Sequence, residues 1–177
     1  MSYMHFTVGT RDFLEKLRLD NENLIITFGS GETMLMEEAT NKTSSFVTPR
    51  SYRVIDSIGT LEEVGYFVLN HIPVTDEGKP VFEHNFKNRE SNLEEFAGFV
   101  AFRLLKPLSG DTYVVLTEWT DKRYFDMWKE SRSFKKAHAK KPATSEGPHI
   151  FSSASYLKTY HTRENDIKEL YERANNK

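Results

Sequence analysis

The side chains with the most chemical potential gather between Trp119 and Lys141, in the run WTDKRYFDMWKESRSFKKAHAKK. His138 offers a neutral imidazole, a common metal ligand and proton carrier near neutral pH. Phe134 lies one helical turn before it on the same face, and Ala137 adds little bulk, so a flat ligand could approach the ring closely. Lys135, Lys136, Lys140 and Lys141 surround this histidine and could attract an anionic group. Plainer accounts stand beside these: a histidine in a basic run is ordinarily a surface residue, and such lysines ordinarily form a solvated face.

Two further positions stand out. Trp128 sits at helical spacing from Phe125, which ordinarily marks a core position. Asn70 interrupts the apolar run from Tyr66 to Val74, where a strand favours β-branched or apolar residues. If buried, its amide needs partners, either backbone at a strand irregularity or a ligand held in a pocket.

The elements that must position these residues read off the periodicity. Tyr3 to Val8 alternates like a strand, and Thr10 caps a short helix carrying Phe13, Leu14 and Leu17. Strands over Asn23 to Phe28 and Thr33 to Glu38 flank Gly29-Ser30-Gly31, and Pro49 to Ile58 reads as a short helix. A second round follows: a strand from Gly65 to Val74, then a helix opened by Pro80 with Phe82, Phe86 and Leu93 on one face. Strands Phe99 to Leu105 and Thr112 to Trp119 come next, then a helix from Asp121 with Thr120 as N-cap, which breaks near Ser131 to Ser133 and resumes through His138. Lys140 to Ser155 reads as a loop and Tyr156 to His161 as a closing strand; the charged stretch Arg163 to Lys177 reads as an exposed or frayed helix.

This order, βαββα followed by βαββα(α)β, predicts an α+β chain of two fused ferredoxin-like units, the first abbreviated. The expected division is an N-terminal unit over 1–62, a second unit over 63–161 and a tail over 162–177. An abbreviated unit leaves sheet surface uncovered, so the two sheets are expected to pack as an intrachain pseudo-dimer of the dimeric α+β barrel type. A monomer then becomes the natural expectation, with a homodimer as the alternative.

Bulk properties narrow the chemistry. In 177 residues there are 24 Lys plus Arg against 26 Asp plus Glu, a net charge of −2 that provides no field for nucleic acid. Cysteine is absent, which removes disulfides, thiolate-bound metals and thiol nucleophiles. Met1 to Phe13 has no basic segment followed by an apolar one, and no apolar run could cross a bilayer, so a cytoplasmic protein without membrane insertion is expected. GxGxxG, GxxxxGK[ST], GxSxG and HExxH do not occur.

The stretch from Gly65 to Tyr160 resembles the IsdG-type heme-degrading monooxygenases of the antibiotic biosynthesis monooxygenase superfamily. The resemblance rests on Asn70 in FVLNHIPV, Trp128 in FDMWKES and His138 in SFKKAHAKK, in matching order and separation. It implies that His138 is the proximal iron ligand, Asn70 a distal hydrogen-bond donor and Trp128 a bulky wall that distorts the porphyrin. Phe86 and Arg89, on the helix after the Asn70 strand, could then face the heme, one by apolar contact and one toward a propionate. Heme would be both cofactor and substrate, with O2 and an external reductase completing the reaction and iron released. Enzymes of this type are typically single-domain homodimers, and the extra N-terminal half departs from that pattern. The two-part layout also resembles TRAP-like signalling and stress proteins of staphylococci, which need not catalyse anything. A third possibility is a cofactor-free monooxygenase of an aromatic substrate, as elsewhere in the superfamily.

Overall fold

A computed structural model describes residues 1–88, 92–131 and 150–176. In the central strand β5 (Gly65–Pro73), Phe67, Leu69 and His71 alternate with Tyr66, Val68, Asn70 and Ile72, which sends the two sets to opposite faces. The same alternation shapes β1 (Tyr3–Gly9), β2 (Ile25–Gly29), β3 (Glu32–Ala39) and β7 (Thr112–Trp119). With β4 (Arg50–Gly59), β6 (Phe99–Pro107) and β8 (Tyr156–Thr162), they close an antiparallel barrel in the order β1-β3-β2-β8-β5-β7-β6-β4. One face of every strand fills the barrel, where Phe6, Met34, Phe67, Leu69 and Leu116 meet in a single core.

The outer faces are covered by α1 (Arg11–Asp20), α2 (Lys79–Lys87), α3 (Lys122–Lys129) and α4 (Glu164–Asn175). The layout is that of two fused ferredoxin-like units forming a pseudo-dimer within one chain. Its internal symmetry is visible in the pairing: β4 joins β1 to β6, as β8 joins β5 to β2. Both seams demand close backbone approach. A methyl group on Gly29 would overlap the Thr159 carbonyl, and one on Gly59, at φ 73°, would overlap that of Val100.

Four local expectations are corrected. Pro49 to Ile58 does not form a helix; residues 50–59 form β4. A β-bulge between Val54 and Asp56 adds one residue there, so Tyr52, Ile55 and Ile58 fall at an apparent helical spacing although the backbone is extended. Asp121, not Thr120, caps α3, its carboxylate accepting from Arg123 N–H at 3.0 Å. Phe13 stays exposed, while Leu14 carries the buried face of α1. The C-terminal segment is a docked helix rather than a frayed one: Ile167 packs with Leu14 and Ile26, Leu170 is buried, and Arg173 pairs with Glu15 at 2.5 Å.

Candidate functional site

Because β5 alternates, Asn70 emerges on the outer face, on the side that α2 and α3 cover. Its side chain is half-buried and makes no hydrogen bond to another described residue. Beside it on the same face stand Val68, along the strand, and Val115, directly opposite on β7.

The aromatic wall comes from β7 and α3. Asp121 fixes the start of α3, which drives Phe125 inward and places Trp128 one turn later on the same face. Trp128 is half-buried, its ring 5.5 Å from Trp119 and 6.1 Å from Phe125. Trp119 pairs with Tyr66, four residues from Asn70, so wall and carboxamide are separated by about 13 Å of strand. The floor between them is the cross-strand pair of Val68 and Thr117, whose hydroxyl accepts from the Trp119 indole N–H at 3.0 Å. On α2, Phe86 lies stacked on Phe102 of β6 at 5.9 Å and is half-buried.

Three of the residues singled out in the sequence, Asn70, Trp128 and Phe86, are thus brought to one helix-covered face. His138 and Arg89 lie outside the described residues. Among the described residues, no group of three or more His, Asp or Glu is placed to hold a metal ion. A carboxamide with no hydrogen bond to a described residue, on a face with Val68, Val115 and an aromatic wall, fits a largely apolar ligand that presents a hydrogen-bond acceptor.

The inner faces of β5 and β7 hold His71, which strand alternation sets on the side away from Asn70, and Glu118, which no sequence pattern singled out. His71 points into the barrel, is buried, and stacks on Tyr156 with ring centroids 4.7 Å apart. Burial, with Lys158 and Arg50 nearby, lowers its pKa, so the imidazole is neutral. Glu118, also facing inward and fully buried, accepts from Glu62 N–H at 2.9 Å, while its Oε2 has no hydrogen-bond partner among the described residues. Burial pushes its carboxyl up to about 8. Alternation could have flagged Glu118 as well, since it falls in phase with core residues of β7.

Residues 65–140, the stretch that contains Asn70, Phe86 and Trp128, match the family model described as antibiotic biosynthesis monooxygenase. The chain as a whole is 27% identical over 164 residues to the signal transduction protein TRAP of Staphylococcus aureus, covering 92% of this chain and 96% of that one. Among solved structures it is similar to a major regulator of staphylococcal pathogenesis, with TM-score 0.78 and 24% identity over 91% of this chain and 99% of the other. It is similar too to LmHde, a heme-degrading enzyme from Listeria monocytogenes, with TM-score 0.67 and 22% identity over 90% of this chain and 98% of that one. Both structural likenesses are likenesses of fold.

Proposed function

We propose that this protein is a heme-degrading monooxygenase of the IsdG type, resembling the Bacillus enzyme HmoB, whose site lies on the outer face of β5 and β7 in the 63–161 unit. The observation that carries this reading is the Asn70 carboxamide: half-buried, on the helix-covered face, and without a side-chain hydrogen bond to a described residue. An unmet buried polar group costs about 1–3 kcal/mol, and a ligand that accepts from Asn70 removes the part of that cost which burial imposes.

Bound heme supplies the iron that activates O2 and is itself the substrate, with electrons from an external reductase. In this reading His138 holds the iron, Phe86 gives apolar contact and Arg89 pairs with a propionate. Asn70 donates its N–H toward the reacting side of the ligand. Trp128, backed by Trp119 and Phe125, resists displacement and bears on the ring. The family match over 65–140 supports this reading, as does a fold shared with LmHde. A barrel closed within one chain supports a monomer. No described helix is long and apolar enough to cross a membrane.

The similarity to TRAP along nearly the whole chain favours a second reading, a signalling protein on the same barrel without turnover. Hemin titration of the purified protein separates the two. We expect a Soret band that saturates at one equivalent and decays when a reductant is added in air. No saturable Soret band would end the heme reading and leave the signalling one.

A further inference from the structure

The barrel interior opens at one end into a cavity of about 150 Å³. Its floor is apolar, built from Phe6, Met34, Leu69 and Val114, each from a different strand. Its rim is polar. An adjoining groove of about 400 Å³ shares Arg50, Tyr52 and His71 with it, so these three residues stand where the two spaces meet.

All three have unused hydrogen-bonding capacity. His71 is 4% exposed, and its Nδ1 is buried without a partner among the described residues. The Arg50 guanidinium has no ion pair, and the Tyr52 hydroxyl no hydrogen bond, to any described residue. Among the described lining residues the carboxylates are engaged: Glu32, on the cavity, accepts from the Tyr160 hydroxyl at 2.5 Å and pairs with Lys158 at 3.5 Å, and Asp111, on the groove, accepts from the Ser152 and Thr112 hydroxyls. Lys158 therefore offsets Glu32, and the positive charge of Arg50 is left over. Buried polar groups ordinarily find partners; His71 and Tyr52 are buried here, Arg50 stands exposed at the rim beside them, and such a convergent set is a mark of a binding site.

We propose that this mouth is a second small-molecule site, which takes an aromatic monocarboxylate with its ring on the apolar floor and its carboxylate at Arg50, Tyr52 and His71. A cavity of about 150 Å³ is the size that holds benzene, which matches a single ring and excludes a macrocycle. Arginine binds carboxylates through a planar pair of N–H donors, the strongest neutral-pH arrangement for that group. Asn70 and His71 are neighbours in β5 but face opposite ways, so this site is separate from the outer one and independent of the heme reading.

The test is a benzoate titration of the full-length protein, followed by NMR of the His71 and Tyr156 ring resonances. Saturable shifts are expected in wild type and in Asn70→Ala alike. Arg50→Gln, at an exposed position that leaves the core untouched, should weaken binding about tenfold or more, the size of one lost charge-assisted hydrogen bond. His71→Leu should weaken it too, with an unchanged thermal midpoint for Arg50→Gln as the control for folding. Any of four results would overturn the proposal: no saturable shift, benzyl alcohol binding as tightly as benzoate, inorganic phosphate doing so, or Asn70→Ala abolishing the binding.

Discussion

The two halves of the barrel share strand plan and pairing but treat their outer faces differently. Trp119 stands opposite Tyr66, and the residue that stands opposite Tyr3 in the first half is Ala39. Asn70 stands opposite Val115, and its counterpart opposite Leu35 is Thr7. After β7 the chain forms α3 and presents Trp128; after β3 it runs instead through a loop that buries Phe46 beside Leu14 and Leu24. Helix α4 then adds Ile167 to the same cluster. The outer layer over the first half is thus filled by α1, the loop after β3 and α4, whereas the second keeps an amide with no hydrogen bond to a described residue beside an aromatic wall. A fold duplicated within one chain lets one copy serve as scaffold while the other carries chemistry.

Substitutions in matched positions can break this comparison or sharpen it. His138→Ala should have the largest consequence, the loss of most heme affinity in a Soret titration, and an unchanged titration curve would remove that residue from the site. Phe46→Ala should cost about 3 kcal/mol of stability in urea unfolding, since a buried Phe is truncated where the first half is plugged. A cost near zero would mean that the loop does not seal that half. Asn70→Ala should leave heme binding intact and slow degradation about 10²-fold, the usual effect of removing one preorganised donor. Its counterpart Thr7→Ala should change neither, and equal effects at the two positions would erase the distinction between halves.

The smallest effect concerns another matched pair of glutamates, and it is read as a pH dependence. Glu38 pairs with Arg103 at 2.6 Å, whereas Glu118 is buried with one oxygen unpartnered among the described residues. A carboxyl whose folded pKa of about 8 exceeds its ordinary 4.5 holds its proton more tightly in the native state. Stability should therefore fall as pH rises between those two values, and stay low above them. Glu118→Gln should flatten that decline, recovering on the order of 1 kcal/mol or more at pH 9. Unfolding midpoints measured at pH 5 and pH 9 in both proteins decide it, and parallel declines would refute the assignment.

Much of this plan was legible in the sequence. β1 alternates, β5 stands out as an apolar run, and glycines mark the turns, with Gly31 and Gly110 at positive φ. Alternation also sufficed to put Asn70 and His71 on opposite faces. β4 was misread because its bulge shifts the register, and local pattern alone cannot tell a shifted strand from a helix. The docking of α4 was hidden for a different reason: its partners Leu14 and Glu15 lie about 150 residues away in sequence. The barrel mouth draws its residues from β1, β3, β4, β5, β7 and β8, so no short motif announces it.

The seams β4–β6 and β2–β8 join two parts of one polypeptide. Assembly of the barrel is consequently a first-order event, indifferent to dilution, where separate subunits would have to find each other at low expression. Fusion also frees the halves from identity. In a homodimer every substitution appears twice, but here a lineage can remodel one wall of the barrel without disturbing its mirror position.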